Sequence, residues 1–295
     1  MLAILGGLGA AVMWATTTIC SSRSSRTIPA SSVLAWVMVV GLVVTLPALV
    51  ATGLPAGVDL GILAWLAVAG IGNVLGLLLE YAGLSIGKVG VVAPIASTEG
   101  AIAAIIAVAA GETLATGAIA MLAVIAVGVV LAGLITDPHG EELAAGDSPQ
   151  VRSSGRRRRS RAAVLAVGAA VAFGISLYAA GRVSLDLPVA WVLLPPRLVG
   201  VVAIAIPLAL ASRLRFSREV ASLLVVSGIA EVLGFVSFVV GARHGIAIAA
   251  VLGSQFAALA AIAAFLFFGE RLRRVQIAGV CAIAVGVAVL SVLRA

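Results

Sequence analysis

Four ionisable side chains sit inside long apolar runs of this 295-residue chain: Glu80, Glu99, Arg197 and Glu231. A charge at the centre of a bilayer costs about 2.5 to 3.5 kcal/mol on insertion scales, so each needs a partner, water or a function. Glu99 lies nine residues beyond Gly90 and Glu231 eleven beyond Val220, which places both near mid-membrane at about 1.5 Å per helical residue. Asn73, Gly76 and Glu80 are spaced by three and four and share one helical face; Ser227, Glu231 and Gly234 make a matching stripe. Ser97 and the pair Ser254 and Gln255 add neutral hydrogen-bonding groups at similar depth. Arg197 follows Pro195 and Pro196, which must free carbonyls a turn earlier and bend their helix. It could bind an anionic substrate group or neutralise Glu99 or Glu231. Two or three acids against one arginine leave at least one acid without a fixed basic partner. Such an acid can take up and release protons, which is what proton coupling requires. The expected substrate and proton site is therefore Glu99, Glu231, Asn73, Arg197, Glu80, Gln255, Ser254 and Ser97, with no metal, no cofactor and no catalytic residue.

The elements that must position these groups are membrane helices. A chain 62% hydrophobic and 11% charged has more apolar residues than a globule of this length could enclose, so lipid must solvate its surface. Ten stretches are long enough to cross a hydrocarbon core about 30 Å thick. They run from Leu2 to Cys20, Val33 to Ala51, Leu60 to Tyr81, Gly90 to Ala110, Leu114 to Ile135, Ala162 to Gly181, Pro188 to Ala211, Val220 to Ala242, Ile246 to Phe268 and Val275 to Leu293. They lack the alternation of barrel strands, so an all-α integral membrane fold is expected. The first stretch has no basic n-region and is too long for a secretory signal, so it is read as retained. Cys20 and Cys281 are isolated and suggest neither a disulfide framework nor a metal site. The net charge of +7 resides in short connections rather than on a soluble face, which excludes nucleic acid and points to lipid headgroups. Arg152, Arg156 to Arg159 and Arg161 end the one long linker, read as a solvated tether that anchors to headgroups.

An internal repeat organises the spans. Gly72 to Ile135 reads onto Ala230 to Leu293 at an offset of 158 without a gap, and Gly9 to Ala15 resembles Gly168 to Gly174 at an offset of 159. Sixteen of the 64 positions in the longer alignment are identical, where chance at this composition would give roughly six or seven. Residues 1–135 and 162–295 are thus expected to be two five-helix repeats, joined by a charged linker over 136–161. Two halves of five spans enter the membrane from opposite sides, so ten transmembrane helices form as two inverted repeats. The offset sets Glu231 opposite Asn73, so a pseudo-two-fold axis would relate two polar residues where a central cavity should lie. Fifteen of the nineteen Lys and Arg residues follow odd-numbered spans, and the positive-inside rule then puts both termini outside.

The chain resembles the EamA-type branch of the drug/metabolite transporter superfamily over essentially its full length. The resemblance rests on Trp14-Ala15 and Phe173-Gly174 ending the first helix of each half, on the Gly-Glu-x-Leu turns Gly111 to Leu114 and Gly269 to Leu272, and on Gly128 and Gly286. Here Glu99-Gly100 stands where the family commonly has a Glu-Pro step, the nearest proline is Pro94, and the ninth span has none. The resemblance implies ten spans, both termini in the cytoplasm, and Trp14 as a cavity wall.

The function expected is a secondary transporter in the cell membrane, with the bacterial plasma membrane as its site. It would export a small amino-acid-like, polar or amphipathic metabolite in exchange for protons through Glu99 or Glu231. An uncoupled facilitator or lipid-linked carrier of the same fold is the alternative, and a structural membrane protein would tolerate loss of both acids. No Walker phosphate loop is present, so direct ATP drive is not expected. An intramembrane enzyme is disfavoured, because His139 and His244 lie outside the spans and no buried nucleophile and base can be assembled. Membrane lipids, protons and a small molecule are the expected partners, and nothing in the sequence requires more than a monomer.

Overall fold

A bilayer core offers no hydrogen-bond partners, so so apolar a chain must satisfy its backbone within helices. The computed structural model describes residues 1–87, 89–133, 149–259, 275, 278, 279, 281, 282, 285, 286 and 289, and among these described residues the regular structure is helical with no strand. Numbered in chain order, the helices are α1 Leu2–Thr27, α2 Ala30–Thr52, α3 Leu60–Ile86, α4 Val89–Ala96, α5 Glu99–Ala109, α6 Thr116–Gly133, α7 Pro149–Val183, α8 Val189–Gly200, α9 Ile206–Leu210, α10 Ala221–Ala242 and α11 Ile246–Gly253. Seven helical segments are long and apolar enough to cross a membrane, and they coincide with the expected spans one to four and six to eight. Shorter apolar helices, Thr116–Gly128 and Ile246–Leu259, stand where the fifth and ninth are expected. The rest of the ninth, most of the tenth with Glu270, and residues 134–148 with His139 lie outside the described residues. Val50, Leu54, Leu60 and Leu210 point their apolar side chains outward, as lipid-facing residues must.

Three spans are interrupted, each at polar or proline residues. The fourth breaks at Ser97 and Thr98, between α4 and α5, so Glu99 becomes the first residue of a new helix rather than a mid-helix charge. A carboxylate there is favoured by the helix dipole. Ser97 Oγ donates to the Pro94 carbonyl at 2.8 Å and Thr98 Oγ1 to the Ile95 carbonyl at 2.7 Å, satisfying acceptors that the break strands. The ninth span breaks at Ser254 and Gln255 without any proline, and Ser254 Oγ donates to the Val251 carbonyl at 2.9 Å. In the seventh, Pro195 and Pro196 lie inside α8 and a π-helical turn, Val201–Ala205, follows before α9. Broken helices at membrane depth occur where they are buried in protein or line a cavity.

The linker reading is corrected in part. Residues 149–161 are helical and continuous with the sixth span, making α7 a single 35-residue helix. At about 1.5 Å per residue it exceeds the hydrocarbon thickness by several turns, so its arginine-bearing start extends the span as a rod rather than a loose tether.

Packing between the halves follows an exchange rule. The two most extensive helix contacts are α1 with α10 and α3 with α7, the first helix of one half against the third helix of the other. Side chains obey the same rule at the repeat offset. A Cβ on Gly76 would strike the Phe173 ring, and one on the equivalent Gly234 would strike the Trp14 indole. Ser176 Oγ donates to the Ala69 carbonyl at 2.7 Å, and Thr17 Oγ1 donates to the Ser227 carbonyl at 3.4 Å. Trp36 and Trp191 each donate their indole N–H to a carbonyl of the other half, Arg215 at 3.0 Å and Gly53 at 2.8 Å. Glu112, in the Gly111 to Leu114 turn, accepts from the Ala247 amide at 3.2 Å and so caps α11 from the other half.

Candidate functional site

The exchange of contacts brings α1, α3, α5, α7 and α10 around one narrow cavity. Its polar wall is Asn73 and Glu80 from α3, Glu99 from α5, Glu231 from α10, Thr17 and Thr18 from α1, and Ser176 from α7. Trp14, Phe173, Leu77, Leu177 and Phe256 complete it. Asn73, Glu80, Glu99 and Glu231 are each at most 4% exposed, so the helix faces read from spacings of three and four do point inward. The cavity volume is about 30 Å³, room for only one or two waters. Ligand pockets usually measure roughly 300 to 1,000 Å³, so a metabolite could enter only if the walls move apart.

At its centre the Asn73 side-chain amide donates to Glu231 Oε1 at 3.4 Å, across a separation of 158 residues. That separation equals the repeat offset, so the two partners are equivalents of each other. Two equivalent residues can touch only where the operation that relates the halves leaves space nearly unmoved. Thr18 Oγ1 donates to Glu80 Oε1 at 3.3 Å, and Ser21 and Ser227 hydroxyls meet at 3.1 Å just beyond.

Four of the eight expected site residues, Asn73, Glu80, Glu99 and Glu231, thus share the cavity. The other four do not. Ser97 and Ser254 direct their hydroxyls to carbonyls of their own helices, as noted above. Gln255 is buried with its amide nitrogen unpartnered, outside the cavity wall. Arg197 is fully buried in the seam between α8, α2 and α10, near Gly41 and Val232, with its guanidinium 5.3 Å from the Phe235 ring centroid. Among the described residues none of its three side-chain nitrogens finds a hydrogen-bond partner. The expected ion pair with Glu99 or Glu231 is therefore absent from this geometry, because the double proline turns α8 so that its guanidinium meets an aromatic face.

Sequence reasoning missed Thr17, Thr18 and Ser176. The signal was present, because the 159-residue offset sets Thr17 against Ser176 just as it sets Trp14 against Phe173.

The chain matches the EamA-like transporter family twice, over residues 1–134 and again over 160–292. It belongs to the EamA-like transporter family. This EamA-like protein is accordingly a multi-pass membrane protein and a membrane transporter of the drug/metabolite type, in a family of transporters rather than enzymes. No curated protein matches it. A solved structure described only as "Crystal structure of protein" superposes with a TM-score of 0.71, covering 99% of this chain and 97% of that one at 19% identity. That likeness is one of fold alone.

Proposed function

We propose that this protein is a secondary carrier that exports a small polar or amphipathic metabolite by alternating access, in exchange for protons held by Glu231 or Glu99. The observation that carries the proposal is the hydrogen bond between Asn73 and Glu231. It sets an acid on the wall of the narrow cavity, against its equivalent at the repeat offset. The exchanged contacts of α1 with α10 and α3 with α7 support a two-fold relation between the halves. With five spans in each half, that relation inverts one against the other. A rearrangement that opens one face then has an equivalent that opens the opposite face, using the same kinds of contact.

Protons suit the central acids because few fixed charges compete for them. Thr18 donates to Glu80 and Asn73 to Glu231, both neutral groups, and Arg197 makes no hydrogen bond to either. An acid so placed must be protonated, or matched by a cation, whenever the cavity closes away from water.

The test is a metabolite-release profile of cells with and without the protein at two external pH values, followed by pH-jump flux in vesicles. Coupled transport should respond to the pH step in the wild type and lose the response in Glu231→Gln. If both respond alike, the carrier is an uncoupled facilitator. Normal transport by both Glu99→Ala and Glu231→Ala would remove the site assignment altogether.

A further inference from the structure

The cavity wall specifies a substrate class, and we propose that it takes an organic amine as its ammonium ion, bearing N–H donors, in exchange for protons. The proposal rests on the carrier reading and narrows it. Its starting point is one atom. The Asn73 amide nitrogen is turned toward Glu231 Oε1 at 3.4 Å, so its Oδ1 is the atom left over. That oxygen is buried, has no partner, and belongs to a residue only 4% exposed on the cavity wall. A buried acceptor without a donor is costly, and an arriving N–H relieves it.

The rest of the wall agrees. Glu80, Glu99 and Glu231 are further acceptors, contributed by three different helices. Trp14, Phe173 and Phe256 add aromatic rings, side chains of the kind that hold ammonium groups. Among the described residues no lysine, arginine or histidine lines the cavity, and Arg197 lies against Phe235. Of the wall's hydroxyls, Ser176 donates to the Ala69 carbonyl and Thr18 to Glu80, while Thr17 makes only a long 3.4 Å bond to the Ser227 carbonyl. An anion would meet three carboxylates on the cavity wall. A zwitterion would satisfy only its ammonium end. A quaternary ammonium would fit the aromatic rings but present no N–H to Asn73 Oδ1.

Charge then balances without any other ion. The ammonium enters as a proton leaves the cluster, and a returning proton displaces the ammonium. The charged or titratable groups facing this exchange are Glu80 and Tyr81 on α3, Glu99 on α5, Glu231 on α10 and Arg197 on α8, so amine and proton compete for one acidic cluster.

Four probes of one scaffold decide the question on the purified full-length protein: phenethylammonium, its N-trimethyl analogue, phenylalanine and 3-phenylpropionate. Each is scored by the Tm shift in detergent and by proton flux from proteoliposomes on its addition. Phenethylammonium should raise Tm and release protons, the trimethyl analogue should bind about tenfold more weakly for want of the hydrogen bond, and the other two should do neither. Asn73→Ala should erase the difference between the two cations. Equal or better binding of phenylalanine or 3-phenylpropionate, or equal binding of the two cations by the wild type, would overturn the proposal with no variant needed. If a zwitterion or anion moves with protons, the carrier reading stands and the amine falls. If no probe binds and a pH step moves nothing, both fall.

Discussion

The two sides of the cavity wall are equivalent at the repeat offset, and their chemistry is opposite. On one side the C-terminal part of α1 carries Thr17, Thr18, Ser21, Ser22, Ser24 and Ser25, all buried, and Glu80 of α3 bonds to Thr18. On the other side the matching part of α7 reads Ser176, Leu177, Ala180, Gly181, Val183 and Ser184, and Phe238 stands in the place of Glu80. The frame around both is alike, with the same helix pairs, the same glycine-against-aromatic contacts and the same hydroxyl-to-carbonyl bonds. The packing between the halves is thus alike on the two sides, while their polar groups differ. One side offers hydrogen bonds to water or a hydrated solute along two helical turns; the other offers an apolar plug in which Trp14, Phe235 and Phe238 rings pack together.

Substitutions that copy one side onto the other test this contrast. The largest effect is expected from Phe238→Glu, which places a carboxylate on the apolar side opposite Leu177 and its aromatic neighbours. Loss of packing and an unpartnered buried charge should together cost more than about 3 kcal/mol, read by thermal or denaturant unfolding in detergent. A silent substitution would mean that this side is as wet as the other. Next comes Glu80→Gln, which keeps the volume and an oxygen for Thr18 but removes the charge. Stability should change by about 1 kcal/mol or less, while pH-driven flux in vesicles should fall about tenfold. Full activity would remove the hydroxyl-lined side from the proton route.

Much of this arrangement was legible in the residues, for a physical reason. Buried acids are expensive, so Glu80, Glu99 and Glu231 stand out in apolar runs, and spacings of three and four fixed the inward faces that carry Asn73 and Glu231. Hydroxyls carry no such penalty, because Ser and Thr can bond to carbonyls of their own helix, as Ser24 does to Cys20 at 2.9 Å. The serine-rich end of α1 therefore looked neutral, and only comparison with α7 at the repeat offset marks it. Arg197 shows a different limit. Its depth followed from counting residues, but with two prolines before it and a π-turn after it, a regular 3.6-residue period no longer fixes its direction. The helix breaks at Ser97 and at Ser254 arise from local bonds to carbonyls that no periodicity reports.

The common frame can be tested where the two halves should respond alike. Gly76→Ala and Gly234→Ala each drive a methyl into an aromatic ring, Phe173 in one case and Trp14 in the other. Overpacking of this kind costs about 1 to 3 kcal/mol, and the two Tm losses should be similar. A large inequality would show that the frame, and not only its polar lining, has diverged.

The smallest expected effect is the most discriminating, because the two equivalent hydroxyl bonds differ in length. Ser176 Oγ reaches the Ala69 carbonyl at 2.7 Å, an ordinary length for a hydroxyl bond, whereas Thr17 Oγ1 lies a long 3.4 Å from the Ser227 carbonyl. Interhelical hydrogen bonds in membranes average about 0.6 kcal/mol and reach about 1.7. Ser176→Ala should therefore lie toward the upper end and Thr17→Val, which keeps the shape, at a few tenths of a kcal/mol. The long bond sits on the hydroxyl-rich side, where Ser227 also meets Ser21, so its donor is the one freer to turn toward a solute. Transport should follow the reverse order, with Thr17→Val slowing flux more than Ser176→Ala despite its smaller cost in stability. If flux and stability fell together, both hydroxyls would be mere struts and the asymmetry of the two sides would carry no functional weight.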